Sequence, residues 1–153
     1  MFLCGSAGTG KTFVSLYLAL KQIMSNLNGP YKKLLILRNS VAVRKIGFLP
    51  GDSENKMEVF EAPYHDICET LFGRSDAYSI LKNKKYIEFS STSFLRGITI
   101  SDTIIIVDES SNLNYHELSS VMTRIGENTK IIFCGDFFQS DLGRRTEERI
   151  SEI

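Results

Sequence analysis

The sequence predicts an α/β fold in three layers, with helices on both faces of a mostly parallel β-sheet. Its strongest apolar runs, residues 34–37, 103–107 and 130–134, are continuous rather than alternating, as in strands buried on both faces. Segments with helical periodicity alternate with these runs along the chain. A length of 153 residues suits a single domain, and no linker or repeat divides it.

The predicted elements follow from local patterns. Short apolar runs predict buried strands at residues 2–4, 34–37, 103–107 and 130–134, with a further short strand at 86–89. Apolar residues at helical spacing predict helices at residues 11–27, 54–71 and 114–125, the second interrupted by Pro63. Asn28-Gly29-Pro30 ends the first helix, and Gly126 ends the third.

Composition excludes several classes of protein. Hydrophobic residues make up 42% of the chain and charged residues 24%, which is typical of globular proteins and not of disordered ones. The apolar runs are far shorter than the roughly 20 residues that span a bilayer, so no membrane association is expected. Three cysteines without CxxC spacing suit a reducing compartment, and they predict a cytoplasmic location.

The net charge of zero conceals a gradient along the chain. Residues 1–51 contain seven Lys or Arg and no Asp or Glu, whereas residues 104–153 contain nine acidic and five basic residues. A basic first third can attract phosphate, from either a nucleotide or a nucleic acid. Scattered surface lysines would give the same count, so charge alone leaves both explanations open.

Residues 5–12, Gly-Ser-Ala-Gly-Thr-Gly-Lys-Thr, match the phosphate-binding loop pattern GxxxxGK[ST] between an apolar strand and a helix. Each of its residues is predicted to bind the nucleotide: Gly5, Ser6, Ala7, Gly8, Thr9, Gly10, Lys11 and Thr12. Backbone N–H groups and the helix N-terminus favour phosphate oxygens. Lys11 would reach the β- and γ-phosphates, and the Thr12 hydroxyl would bind Mg²⁺. A glycine turn that merely begins a helix is the weaker explanation.

Two further strands end in polar residues, where ligands bind in open α/β sheets. After residues 103–107, Asp108 is predicted to hold Mg²⁺ through a water molecule, and Glu109 to polarise the water that attacks the γ-phosphate. After residues 130–134, Gln139 is predicted to hydrogen-bond the γ-phosphate or that water. Taken alone, an Asp-Glu pair usually marks a helix start, and Gln139 would be a surface residue. The phosphate-binding loop favours the functional interpretation of both.

Together these motifs resemble the ATPase core of superfamily-one helicases and, more closely, the PhoH-like family of phosphate-starvation-inducible ATPases. The resemblance extends over nearly the whole chain, and its most specific part is Gly47-Phe48-Leu49-Pro50-Gly51-Asp52. The other matching positions, besides the loop and the Asp-Glu pair, are Lys56, Pro63, Tyr64, Asp66, Leu95, Arg96, Gly97, Thr99, Asn112, Thr123, Arg124, Gly126, Gly135, Asp136, Gln139, Asp141 and Leu142.

The resemblance implies a RecA-like P-loop ATPase domain over residues 1–153 that uses ATP and Mg²⁺ and forms a ring-shaped homo-oligomer. It also implies an action on RNA or other single-stranded nucleic acid. Arg96 and Arg124 would stabilise charge on the γ-phosphate, one of them across a subunit boundary, and Asn112 would position the segment after the carboxylates. Arg38 would face the site or a nucleic-acid strand. Each arginine could instead be an ordinary surface or ion-pairing residue, and for Arg38 the two explanations have about equal weight.

The chain also departs from the family pattern. Ser110-Ser111 stands where the family usually has Ala-Gln, and the family's flanking segments at both ends are expected to be missing, which affects recognition of the adenine. Two alternatives therefore stay open: a nucleic-acid motor core that works with partner subunits, and a module that binds nucleotide without hydrolysing it. His65 and His116 lack metal-ligand spacing, and Lys82, Lys84 and Lys85 are expected to lie in a solvated loop.

Overall fold

A computed structural model describes residues 1–39, 53–95 and 97–136. Its strands and α-helices, in chain order, are β1 (Phe2–Cys4), α1 (Lys11–Ser25), β2 (Lys33–Arg38), α2 (Ser53–Phe72), α3 (Ala77–Asn83), β3 (Ile87–Ser91), β4 (Thr103–Val107), α4 (Tyr115–Met122) and β5 (Lys130–Gly135). Short 3₁₀ turns at Thr92–Phe94 and Ser110–Asn112 follow β3 and β4. This alternation confirms the predicted α/β class.

The five described strands form one parallel sheet in the order β1-β5-β4-β2-β3. β5 therefore lies between β1, which precedes the phosphate-binding loop, and β4, which precedes Asp108. Leu3 pairs with Cys134, so the first and last of the described strands are neighbours. Because parallel strands run in one direction, the carboxyl ends of β1, β5, β4 and β2 meet at one edge of the sheet.

Two apolar clusters place a layer on each face of the sheet. One contains Leu34, Ile36, Ile104 and Ile106 of the sheet with buried residues of α1, α2 and α3. The other contains the alternate sheet residues with Leu95, Leu113 and Val121, so α4 and the segments around it cover that face. Central strands covered on both faces explain the continuous apolar runs in the sequence.

Some predicted details are wrong. The predicted interruption at Pro63 is absent, because α2 continues through this residue from Ser53 to Phe72. Proline removes one helix hydrogen bond, and burial of Tyr64 and Cys68 on the same helix offsets this loss. Residues 2–4 form an exposed strand rather than a buried one, since β1 is at the edge of the described sheet and Cys4 is exposed.

Other differences concern the ends of elements. α1 and α4 are shorter than predicted, and Asn114 caps α4 with a reciprocal hydrogen-bond pair to Glu117. The helix α3 was not predicted, and it includes Lys82, which therefore does not lie in a loop. Within the described ranges, no helix combines the length and apolar character needed to cross a bilayer.

Candidate functional site

The phosphate-binding loop connects β1 to α1 and keeps donors available at its helix end. Gly8 and Gly10 have φ angles of 76° and 78°, in the left-handed region that glycine adopts without strain. Gly10 is the N-cap residue of α1 and, having no side chain, does not cap the amides of the first turn. The Lys11 ammonium donates hydrogen bonds to the Gly5 and Ser6 carbonyl oxygens, at 2.6 Å each. The loop thus presents backbone N–H groups and a cation together.

Asp108 connects this loop to the rest of the site. It follows β4, is 8% exposed, and accepts a hydrogen bond at Oδ1 from the Thr12 hydroxyl at 2.9 Å. Its other oxygen, Oδ2, accepts a 2.8 Å hydrogen bond from the hydroxyl of Tyr64. The backbone N–H of Glu109 also donates to Oδ1, at 3.1 Å. Thr12 and Asp108, 96 residues apart, are therefore in direct contact.

Tyr64 is fully buried in α2. Burial, with the neighbouring Asp108 carboxylate, raises the pKa of its hydroxyl far above the ordinary value. The hydroxyl therefore stays protonated and acts as a donor to Asp108. The family motif in the sequence includes Tyr64 without giving it a function, and no local pattern indicates that α2 would bring it to Asp108.

Glu109 and Arg38 form an ion pair at the mouth of the site. Arg38 ends β2, the neighbour of β4, so the pair joins the carboxyl ends of two adjacent strands. The Glu109 backbone adopts a left-handed φ of 53°, which is uncommon for a residue other than glycine and is found disproportionately at functional sites. The Arg38 guanidinium also lies 5.6 Å from the Phe60 ring centroid.

These groups line one cleft of about 540 Å³, a size that suits a small-molecule ligand. Its wall includes Lys11 and Thr12 from the loop side and Asp108 and Glu109 from β4. Much of the remaining wall is formed by Arg38, Asn112, Asp136 and the α2 residues Pro63 and Ile67. Charged donors and acceptors thus converge at the carboxyl edge of the sheet.

The available donors fit Mg²⁺ better than a softer metal. The Thr12 hydroxyl and the Asp108 carboxylate supply oxygen ligands, which Mg²⁺ prefers alongside waters and substrate phosphates. Across the described ranges, no group of three or more His, Cys, Asp or Glu side chains could hold a metal. His65 packs on the Tyr78 ring with centroids 4.2 Å apart, and His116 is exposed.

The segment after the carboxylates packs closely on β5. The Asn39 amide donates to the carbonyl oxygen of Asn112. A Cβ atom at Gly135 would lie 2.7 Å from Ser110 Oγ and 3.1 Å from the Ser111 backbone N, so any other residue there would require Ser110 to shift. Below the loop, the Cys134 thiol contacts Ser15 Oγ at 3.4 Å, and burial raises its pKa.

Of the two predicted arginines and Gln139, Arg124 is the one that lies within the described residues. The Arg124 carbonyl accepts a hydrogen bond from Ile100 N–H, three residues before β4 begins, at the amino end of the sheet. The five residues of β4, about 16 Å at the usual rise per residue, separate it from the end that carries Asp108. Arg124 is therefore remote from the cleft that contains Asp108 in the same chain. Arg96 and Gln139 lie outside the described residues, as do residues 47–52.

Comparison with known proteins identifies relatives of the whole chain. The family described as "PhoH-like protein" matches residues 1–153. "Protein PhoH2" of Bacillus subtilis is 41% identical over 145 residues, covering 91% of this chain and 32% of that protein. A "PhoH-like protein" of Synechocystis is 36% identical over 142 residues, covering 92% and 42%. "Protein PhoH" of Escherichia coli is 30% identical over 146 residues, covering 94% and 40%. The chain thus spans less than half the length of these relatives.

Proposed function

We propose that this chain, which belongs to the PhoH-like family of P-loop NTPases, is a Mg²⁺-dependent ATPase. The observation that carries the proposal is the convergence of Lys11, Thr12, Asp108 and Glu109 on one cleft. A phosphate-binding loop alone indicates only that a phosphate binds. A buried carboxylate in contact with Thr12, followed by a second carboxylate, adds the groups that phosphoryl transfer to water requires.

In this proposal the loop and Lys11 bind the phosphates. The uncapped amides at the start of α1 donate to phosphate oxygens, and the helix dipole favours their negative charge. Lys11 then exchanges its hydrogen bonds to the Gly5 and Ser6 carbonyls for bonds to the β- and γ-phosphates. The loop carbonyls thus keep the ammonium in the cleft until a phosphate arrives.

Thr12 and Asp108 would hold the metal ion. When bound, Mg²⁺ neutralises charge that develops on the phosphate oxygens. Asp108 already accepts hydrogen bonds at both of its oxygens from neutral donors, which fixes its carboxylate plane. Its burial excludes bulk water from that side of the site, which strengthens its interaction with a cation.

Glu109 would orient the attacking water and accept its proton. Its side chain reaches the cleft but is paired with Arg38, and this pair must separate before the carboxylate can serve as a base. Arg38 also lines the cleft, so its guanidinium could donate to an incoming anion once the pair separates.

The same ion pair supports the second candidate, a module that binds nucleotide without hydrolysing it. If Glu109 remained paired with Arg38 when nucleotide is bound, its carboxylate would not be available as a base. Ser110-Ser111 points in the same direction, because a glutamine side chain usual in the family is missing there. Turnover by the unaltered chain that is lost on substitution of Glu109 would identify the ATPase, since a non-hydrolysing module has no turnover to lose.

RNA and further copies of this chain are the partners included in the proposal. Arg124 could stabilise the γ-phosphate only from a neighbouring copy, given its place at the amino end of the sheet. A ring would supply that geometry, and nucleic acid bound to the ring would be the substrate of the motor alternative. These statements rest on the family resemblance and on the placement of Arg124.

The test is ATP turnover with and without single-stranded RNA, on protein whose mass in solution is measured in parallel. Lys11→Ala should abolish nucleotide binding, because the cation at the phosphates is lost. Glu109→Gln should retain ATP binding and lower turnover by about 100-fold or more. Turnover that survives Lys11→Ala would refute the site. Nucleotide binding by the unaltered chain with no turnover, at any oligomeric state and with RNA, would favour the non-hydrolysing module.

A further inference from the structure

Tyr64 makes a contact that the proposed roles of the loop and carboxylates do not include. Its hydroxyl donates to Oδ2 of Asp108 at 2.8 Å, while Thr12 and the Glu109 amide donate to Oδ1. Three elements therefore hold one carboxylate: the start of α1, the end of β4, and α2. Of these, only α2 lies outside the loop and strand motifs that define the site.

The contact is more than a by-product of core packing. The Tyr64 ring is fully buried in the apolar cluster and lies 5.7 Å from the Phe89 ring, which a phenylalanine could reproduce. The hydroxyl adds a polar group that must be satisfied, and Asp108 satisfies it. Pro63, which precedes Tyr64, and Ile67, about one helical turn after it, line the cleft together with Asp108. This part of α2 therefore forms the wall beside Asp108.

We infer that Tyr64 is a positioning residue for Asp108 and presents its Oδ1 atom to the metal side of the cleft. The carboxylate group of an aspartate rotates about its Cβ–Cγ bond unless separate hydrogen bonds hold its two oxygens. With Oδ2 bound to Tyr64, Oδ1 is directed at the Thr12 hydroxyl, its partner in binding the metal. Hydrogen bonds to metal ligands orient them in this way, and their loss typically lowers metal affinity by about 10 to 100-fold.

This inference rests on the proposed function, because it assigns Tyr64 to the proposed Mg²⁺ site. The experiment measures affinity for a non-hydrolysable ATP analogue by calorimetry, once with Mg²⁺ and once with EDTA. The ratio of the two dissociation constants is the gain in affinity due to the metal. It is a binding quantity, independent of turnover, and general loss of packing does not change it selectively.

Tyr64→Phe should reduce this metal-dependent gain by about 10-fold and leave binding in EDTA within about twofold. The matched control is Tyr78→Phe, which removes another buried hydroxyl from the same cluster, one bound to Glu61 instead. This control should leave the gain unchanged. In an Asp108→Ala background, Tyr64→Phe should have no further effect on the gain, since it acts through Asp108.

The outcomes separate the inference from the proposed function. If the unaltered chain binds no nucleotide, the proposed function fails. If it binds nucleotide but Mg²⁺ gives no gain, the proposed metal site fails, and the inference fails with it. If Mg²⁺ gives a gain and Tyr64→Phe keeps it in full, only the inference is overturned. An equal loss in Tyr78→Phe would also overturn it, because the effect would then be general. Should Tyr64→Phe not fold, Tyr64→Met fills the space flexibly without a hydroxyl and is judged by the same ratio.

Discussion

Two buried tyrosine–carboxylate pairs in the same apolar cluster have different surroundings. Tyr64 donates to Asp108, and Tyr78 donates to Glu61 at 2.6 Å. Glu61 also accepts from the Lys82 ammonium at 2.8 and 2.7 Å, so its charge is neutralised. In the described part of the chain, no cationic side chain forms an ion pair with Asp108. One carboxylate has an internal counter-ion, whereas the other faces a cleft.

This difference distinguishes a structural carboxylate from one that is available to a ligand. A buried charge is costly unless it is paired, so Glu61 with Lys82 forms a closed arrangement that connects α2 to α3. Among the described residues, Asp108 has hydrogen-bond donors but no ion-pair partner, and it lines the cleft beside Thr12. A bound cation would neutralise the Asp108 carboxylate as Lys82 neutralises that of Glu61. The two pairs therefore serve as matched test and control.

The largest difference is expected when each carboxylate is changed to its amide. Asp108→Asn should lower ATP turnover by about 100-fold or more, because the negative charge proposed to hold Mg²⁺ is lost. Glu61→Gln should keep turnover within about twofold, since it lies in the closed pair. Steady-state ATPase assays at saturating Mg²⁺ measure both. Equal losses would show that the two pairs do not differ in function.

Removing the counter-ion should reveal the structural role of the closed pair. Lys82→Met keeps the side-chain stem but leaves the Glu61 carboxylate, only 5% exposed, without its cation. Because Lys82 itself is about half exposed, we expect a loss of about 2 kcal/mol in the free energy of unfolding. Urea denaturation measures it, with the exposed Lys84→Met as control. No loss would mean that Tyr78 alone stabilises Glu61.

The smallest effect concerns alkaline pH. Burial, and then the hydrogen bond to Glu61, raises the pKa of Tyr78 above its ordinary value of 10.0. The unfolded chain therefore loses this proton first, so stability is complete below pH 10 and declines as the pH rises further. Tyr78→Phe should flatten that decline in urea titrations from pH 9 to 11.

Other groups contribute to the alkaline decline. Burial also raises the pKa of the Tyr64 hydroxyl and of the Cys134 thiol, and it raises the pKa of the Cys68 thiol from 9.0 to about 11. The contribution of Cys68 is complete below pH 9 and is lost toward pH 11. Cys68→Ala isolates this part of the decline. A decline unaffected by Tyr78→Phe would contradict the assignment to the tyrosine.

Much of the site could be predicted because its signals are local. The loop at residues 5–12 requires glycine at fixed positions, and Asp108-Glu109 directly follows a continuous apolar run. The carboxyl ends of parallel strands lie at one edge of the sheet, so the loop after β1 and the carboxylates after β4 are expected to be close. The hydrogen bond between Thr12 and Asp108 agrees with this expectation. Pro63 was misleading for the opposite reason: its helix-breaking tendency is local, whereas the burial that maintains α2 is tertiary.

By itself, the sequence determined the α/β class, the phosphate-binding loop and the carboxylates at the end of β4, since each depends on residues close together in the chain. Only the tertiary structure decided which distant side chains meet them. It paired Tyr64 with Asp108 and Arg38 with Glu109, and it placed Arg124 at the far end of the sheet. The physical reason is that helix packing and strand order set these contacts, and both depend on the fold as a whole.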